Sequence, residues 1–363
     1  GDMSPRALLD DLLAECVRIG ASDLHLGGGA RPVFRVHGGL RRQAGEPLSR
    51  EAVEALAAAL MSEPQRGEFN RRHTVDLGST AADGERLRVN CYREMGRTAM
   101  ALRHLDQCRL SLEQLQLPPR LRELAYLKSG LVLVTGATGS GKSTTLAALL
   151  DEINRHRDCH ILTVEDPVEF VHHDDRSLVH HRELNTDVPS FSEAVRAAMR
   201  QDPDVIMVGE MRDLETMRAA LTAAETGHLV FSTLHTGEAV GSVERLVGSF
   251  PGEEQSVARH RIAMSLRAVV AQHLVPRRDN KGRVPAVEVL MVTRAVSNLI
   301  ETAKTRQIYS VMESGAGAGM QTLDQALADL LRRGLIEHDA ALPVCHDAAA
   351  LERLARLGAN GGW

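Results

Sequence analysis

Aromatic residues are scarce in this chain, with one Trp, three Tyr and six Phe in 363 residues. Proteins that grip single-stranded nucleic acid stack bases on aromatic rings, and those that follow a phosphate backbone carry a basic excess. The formal net charge here is -5. Nucleic acid is therefore not an expected partner. Cysteine is also sparse: Cys16, Cys91, Cys108, Cys159 and Cys345 are odd in number, scattered and never spaced Cys-x-x-Cys. That pattern argues against a disulfide framework or a zinc knuckle and suits a reducing, cytosolic compartment. No apolar run approaches the roughly 20 residues of a membrane helix, and the start lacks the apolar core of a signal peptide. A soluble, unexported chain is expected, with Gly1 and Asp2 ahead of Met3 reading as a cloning remnant.

What remains is an ordinary globular composition, 43% apolar and 25% charged, in a chain long enough for two cores. An amphipathic helix over Pro5–Ile19 is followed by short alternating segments at Asp23–Leu26, Pro32–His37, Thr74–Leu77, Arg86–Tyr92 and Thr98–Leu105, with an Ala/Leu/Glu-rich helix over Ser49–Met61. Period-2 patterning with glycine punctuation predicts a small α+β domain on an antiparallel sheet, spanning residues 1–106. A Leu/Gln stretch ending in Pro118-Pro119 places the linker at 107–117. From 118 to 363 the pattern becomes α/β. Buried runs at Leu131–Thr135, Ile161–Val164, Val205–Val208 and Leu229–Ser232 alternate with helices, which predicts a parallel sheet. Helical segments at Arg294–Ala303, Leu323–Arg333 and Ala348–Leu357 close the chain.

The most informative eight residues are Gly136-Ala137-Thr138-Gly139-Ser140-Gly141-Lys142-Ser143. They match the Walker A pattern between a predicted strand and a predicted helix. Glycines let successive backbone N–H groups turn inward around phosphates, and the helix that follows adds the positive end of its dipole. Gly136, Thr138, Gly139, Ser140, Gly141, Lys142, Ser143 and Thr144 are thus the expected nucleotide contacts, with Lys142 on the β/γ-phosphates, the Ser143 hydroxyl on Mg²⁺ and Thr144 near the α-phosphate. The expected ligands are ATP and Mg²⁺.

Two acids follow strands, Glu165 in Val164-Glu165-Asp166-Pro167 and Glu210 in Val208-Gly209-Glu210-Met211-Arg212-Asp213. Ligands of open parallel sheets bind at the carboxyl ends of strands, so both acids are expected to converge on the loop. His228 and His235 flank the run Leu229–Ser232, which puts them about 20 Å apart if it is a strand. His235, at the carboxyl edge, is the phosphate sensor of choice. A subunit contact or a structural role suits His228 better. The pairs His172-His173 and His180-His181 read as solvated loop residues.

Ala21-Ser22-Asp23-Leu24-His25-Leu26, the Walker A loop, an Asp box at Glu165, a Walker B at Glu210, a His box from His228 to His235 and Gly319-Met320-Gln321-Thr322-Leu323-Asp324 occur in this order. In them the chain resembles the PilT-type ATPases, retraction motors of the secretion ATPase superfamily. The resemblance implies a PAS-like N-terminal domain, a RecA-like ATPase domain and a homo-hexameric ring driving pilus retraction and twitching. It assigns Glu165 as the catalytic glutamate and Glu210 as the metal-linked Walker B acid, with the order of those two roles open. It carries His228 with the nucleotide-binding set, and it matches Arg88 and Arg103 to arginines that face nucleotide from the first domain. It further implies a cytoplasmic location at the inner-membrane pilus base, a membrane platform protein as partner and a paralogous retraction ATPase as a possible second one. The tetracysteine zinc module of assembly ATPases is missing, which favours the retraction branch. One departure stands against it. Where retraction ATPases usually read Ala-Ile-Arg-Asn-Leu-Ile-Arg-Glu, this chain reads Ala295-Val296-Ser297-Asn298-Leu299-Ile300-Glu301-Thr302. An accessory PilU-type role, or a pilus assembly or type II secretion ATPase, is the alternative enzyme reading, and a nucleotide-gated scaffold the non-enzymatic one.

Overall fold

A computed structural model describes residues 3–105 and 110–357. Gly1, Asp2, Cys108 and the expected domain boundary at 106–107 lie outside the described residues. Two units emerge: residues 3–105 with Val164–His172 and His181–Ser190, and residues 110–163 with His173–His180 and residues 191–357.

In the first unit, β1 (Asp23–Gly27), β2 (Val33–Val36), β3 (Gly39–Arg42), β4 (Thr74–Thr80), β5 (Arg86–Glu94) and β6 (Arg97–His104) form an antiparallel sheet in the order β3-β2-β1-β6-β5-β4. Alternation sends Leu24, Leu26, Leu87, Val89 and Cys91 to one face, as a strand's period of two requires. α1 (Pro5–Ile19) covers that face with Leu9, Leu12, Leu13 and Cys16, and α2 (Arg50–Leu60) adds Val53, Leu56 and Ala57. The spacing of the α1 residues is a helical stripe. Ser4 caps its start through the Ala7 N–H, and Gly20, at φ 71°, ends it in the left-handed conformation. α3 (Glu63–Arg72), opened by a capping box of Ser62 and Gln65, and the short strand β3 are additions to the elements expected from sequence.

Val164–His172 and His181–Ser190 are anchored within this unit by the carboxylate of Glu183, which is 1% exposed. It accepts N–H groups from Gly78 (3.2 Å), Val168 (3.2 Å) and the Arg86 guanidinium (3.0 Å). A buried charge needs such a set of donors. The approach is so close that a Cβ on residue 78 would lie 2.1 Å from a Glu183 oxygen and 2.6 Å from the Arg86 guanidinium, so any other residue there would displace this ion pair.

The second unit carries β7 (Gly130–Thr135), β8 (His160–Glu165), β9 (Leu178–Glu183), β10 (Val205–Val208), β11 (Leu229–Leu234), β12 (Leu266–Pro276) and β13 (Arg283–Met291), in the order β13-β12-β7-β11-β10-β8-β9. The last residues of β8 and β9 count with the first unit. β12, β7, β11 and β10 pair in parallel and β13 runs antiparallel to β12. Every residue of β7, β10 and β11 is buried, as expected of central strands covered on both faces. The helices are α4 (Lys142–His156), α5 (Phe191–Ala198), α6 (Leu214–Glu225), α7 (Ala239–Gly248), α8 (Gln255–Ser265), α9 (Arg294–Glu301), α10 (Ile308–Glu313), α11 (Leu323–Arg332), α12 (His338–Ala341) and α13 (Ala348–Leu357).

The α/β class and its antiparallel N-terminal companion agree with the sequence reading, but β9, β12 and β13 were not expected. α8 runs into β12 with no intervening residue, so no glycine or proline marks the change of period. The histidine pairs also need correction. His180 and His181 lie on β9, His172 is 6% exposed, and His160 Nε2 sits 2.9 Å from His180 Nδ1. Three of the four are therefore not solvated loop residues.

Candidate active site

Strand β7 delivers the chain from a fully buried path to Gly136, and α4 begins at Lys142. Between them Gly136, Gly139 and Gly141 adopt φ of 150°, 81° and 89°, a region open to glycine and costly for other residues. Space as well as conformation selects glycine at two of them. A Cβ on residue 136 would meet Ser140 Oγ at 2.4 Å and the Gln272 carbonyl at 2.6 Å, and one on residue 141 would meet Gln272 Nε2 at 2.7 Å.

Gln272, on β12, is thus the floor of the loop. It is 4% exposed, and its Oε1 accepts a 2.5 Å hydrogen bond from Thr145 Oγ1 in the first turn of α4. No local pattern announced it, because the strand that carries it was not predicted.

At the carboxyl edge of the sheet a chain of polar contacts runs away from the loop. Lys142 Nζ lies 2.8 Å from His235 Nδ1, His235 Nε2 lies 2.5 Å from Glu210 Oε1, and Arg212 Nε donates to Glu210 Oε2 at 2.7 Å. An ammonium only donates, so His235 accepts on Nδ1 and carries its proton on Nε2, facing Glu210. Burial lowers the Lys142 ammonium from its usual value, against the opposing pull of the Glu210 charge. Burial pushes the Glu210 carboxyl up, but the hydrogen bonds and charges of Arg212 and His235 outweigh it and hold the group below the usual carboxylate range. The strand ends that bring these groups together are pinned by Ser232 Oγ on the Val208 carbonyl (2.8 Å) and Thr233 Oγ1 on the Gly209 carbonyl (2.7 Å). Asp213 then caps α6 through the Thr216 N–H. Beside Glu210 and His235 opens a cavity of about 870 Å³ that Arg212, Thr236, Glu244 and Arg245 also line.

The second unit therefore assembles the glycine loop, Lys142, Glu210 and His235. It does not bring His228 to them. His228 stands at the amino end of β11, its Nδ1 is 3.0 Å from the Ala223 carbonyl at the end of α6, and its own carbonyl accepts the Gly130 N–H. Six strand residues, Leu229–Leu234, separate the two histidines.

Glu165, Arg88 and Arg103 belong to the first unit. Glu165 Oε2 lies 3.2 Å from His181 Nδ1, with both side chains largely buried. Arg88 and Arg103 stand directly opposite one another on β5 and β6. Each has an acidic neighbour, Glu169 at 3.6 Å from Arg88 and Asp23 at 2.9 Å from Arg103. Both guanidinium groups are about half exposed, a setting in which an ion pair contributes little to stability.

The loop fits a polyphosphate. Gly136, Gly139 and Gly141 bring no side chain of their own to the loop, and Ser140 Oγ is buried with no hydrogen-bond partner among the described residues. Among the described residues no group of three or more His, Cys, Asp or Glu could hold a metal ion by itself.

A glycine loop between a buried strand and a helix, with its lysine linked through a histidine to a strand-end carboxylate, defines a P-loop nucleotide-binding protein. Over residues 2–333 the sequence matches the model of the type II/IV secretion system protein family, and the chain belongs to that family. It is 45% identical over 333 residues to the type IV pilus retraction ATPase PilT of Pseudomonas aeruginosa, covering 92% of this chain and 96% of that one. The type IV pilus ATPase PilU of the same organism is 37% identical over 351 residues, covering 97% and 92%. A crystal structure of the pilus retraction motor PilT with bound ADP superposes with a TM-score of 0.84 at 41% identity, covering 95% of this chain and 99% of that one.

Proposed function

We propose that this protein is an ATP-hydrolysing motor subunit that drives type IV pilus retraction, working as a homo-hexamer at the cytoplasmic face of the inner membrane against a membrane platform protein. The observation that carries this reading is the Lys142–His235–Glu210 chain of contacts beside the glycine loop, in a sequence 45% identical to a pilus retraction ATPase over nearly its whole length.

In this reading the amides of Gly136 to Thr144 and the Lys142 ammonium bind the phosphates, while Ser143 and Glu210 hold Mg²⁺. When bound, the ion neutralises charge on the phosphate oxygens. Lys142 and His235 are partners within the protein itself, so a γ-phosphate that takes up Lys142 releases Nδ1 of His235. His235 then reports the occupied site to the Glu210 strand end. Glu165 orients or deprotonates the attacking water. Arg88 and Arg103 supply positive charge from the first unit toward the developing γ-phosphoryl charge, an effect worth roughly 10³- to 10⁵-fold when an arginine finger delivers it.

The test combines the mass of the purified assembly with its phosphate release, and then a deletion strain. A hexamer that hydrolyses ATP, with excess immobile pili in the deletion strain, is the expected outcome. A monomer, or loss of surface pili, overturns the retraction reading.

An accessory PilU-type role is the second reading, and α9 favours it. Where the retraction branch carries arginines, this helix has Ser297 donating to the Ala263 carbonyl at 2.7 Å and Glu301 2.6 Å from His260 Nδ1. Both positions are thereby engaged with α8. A deletion strain that still retracts, though with less force, would select this reading.

A further inference from the structure

Beneath Glu165 sits an imidazole whose proton position can be read from its neighbours. His181 Nε2 faces the backbone N–H of His172 at 3.0 Å. An amide N–H only donates, so Nε2 must accept. The ring proton is then on Nδ1, which faces Glu165 Oε2 at 3.2 Å. No other protonation state serves both contacts: with a proton on Nε2, two N–H groups would point at each other. The His172 ring lies against the His181 ring, with centroids 5.7 Å apart and planes 20° apart, so the imidazole is held face-on as well as at both nitrogens. These contacts join the ends of the two segments that count with the first unit. Glu165 lies near the start of Val164–His172, His172 ends it, and His181 opens His181–Ser190.

We propose that His181 is a positioning residue for Glu165, a neutral imidazole fixed as the Nδ1–H tautomer that donates one hydrogen bond to a single carboxylate oxygen and so sets the plane in which Glu165 meets water. The proposal rests on the reading that Glu165 acts on the attacking water. Nothing in it requires His181 to gain or lose a proton during turnover. The imidazole orients a base as the third group of a nucleophile–base–orienter arrangement does, with the roles of carboxylate and imidazole exchanged.

The chemistry of the two contacts makes a demanding test, because glutamine offers a donating NH₂ group and an accepting carbonyl and can serve both, whereas leucine serves neither. His181→Leu is expected to lower kcat for ATP hydrolysis about five- to tenfold, the worth of one hydrogen bond in the transition state, with KM for ATP unchanged. His181→Gln is expected to recover most of that loss. Nitrogen-15 spectra of histidine-labelled wild-type protein, with the His181 signal assigned by its disappearance in His181→Gln, are expected to show the Nδ1–H tautomer at pH 7. That measurement needs no variant to be active. An Nε2–H or doubly protonated ring, a Leu variant with wild-type kcat, or a Gln variant as damaged as the Leu one overturns the proposal. Glu165→Gln separates the two ideas. If it leaves turnover intact, the water-activating reading of Glu165 has failed and the positioning role falls with it. If it abolishes turnover while His181→Leu does not touch kcat, only the positioning role is wrong.

Discussion

Two glutamates on the second unit's sheet occupy opposite settings. Glu210 lies just past the end of β10, a quarter exposed, with a histidine and an arginine on its oxygens. Glu288 lies within β13, 2% exposed, and accepts the backbone N–H groups of Ala239 (2.9 Å) and Leu323 (3.1 Å), the first residues of α7 and α11. The first is held below the usual carboxylate range. The second is pushed above it by burial, which the two N–H bonds offset only in part. An acid with charged partners at a strand's carboxyl end is arranged for ligand chemistry, whereas an acid with only amide partners in mid-strand ties helix starts to the sheet. Position on the strand, more than residue type, separates function from scaffold.

The largest expected effect lies on the functional side. Lys142→Ala removes the cation that both the loop and His235 face, and ATP turnover should fall about 10²- to 10³-fold, the typical cost of deleting one preorganised donor to a developing charge. Phosphate release by the purified variant checks it. A variant with more than a tenth of wild-type turnover would break the assignment of the loop as the phosphate site.

Next in size is Glu210→Gln. The amide keeps the shape of the side chain but loses its charge, so nucleotide binding should persist while hydrolysis falls about 10²-fold. Fluorescent-nucleotide titration and phosphate release read the two separately. Parallel loss of both would make Glu210 a binding residue only. Because its carboxyl is depressed, any stability that Arg212 and His235 lend it is fully present above the ordinary value of 4.5 and is lost as the pH falls through its folded value. Any such contribution is therefore present in the wild type and missing from Glu210→Gln at neutral pH, and it should fade from the comparison on acidification.

The same contrast explains what could be read from the chain before its fold was known. Gly141 and Lys142 were legible because loop geometry, crowding and charge all demand those residue types within a few positions. Glu210 and His235 were legible because buried runs announce the strands that end beside them. Gln272, His181 and Glu288 act across long separations, on Gly136 and Thr145, on Glu165 and His172, and on Ala239 and Leu323 respectively. A strand's local pattern carries no trace of such partners. The Gly319–Asp324 motif is an intermediate case, recognisable as a motif yet unexplained until Thr322 and Gln325 are seen to form a capping box and Leu323 N–H to meet Glu288.

The smallest expected effect is on the scaffold side. Glu288→Gln keeps one accepting oxygen but turns an NH₂ group toward the second backbone N–H, so it loses one of the two bonds at every pH and no longer titrates. A carboxyl whose folded pKa is raised contributes stability that is fully present below its unfolded value and is lost as the pH rises through its folded value. For Glu288 the unfolded value is about 4.5. Below it, Glu288→Gln should melt lower than wild type, by the loss of that one bond. As the pH rises, the wild type loses stability that the variant does not, so the gap should narrow by pH 8, by about 1 °C for each kcal/mol in a chain of 363 residues. Turnover should change by less than about twofold, well within one hydrogen bond's worth. Calorimetric melting at pH 4, 6 and 8 decides the matter. If the gap instead widens between pH 4 and pH 8, the two amide bonds outweigh burial, and Glu288 is an ionised anchor of the same electrostatic kind as Glu210.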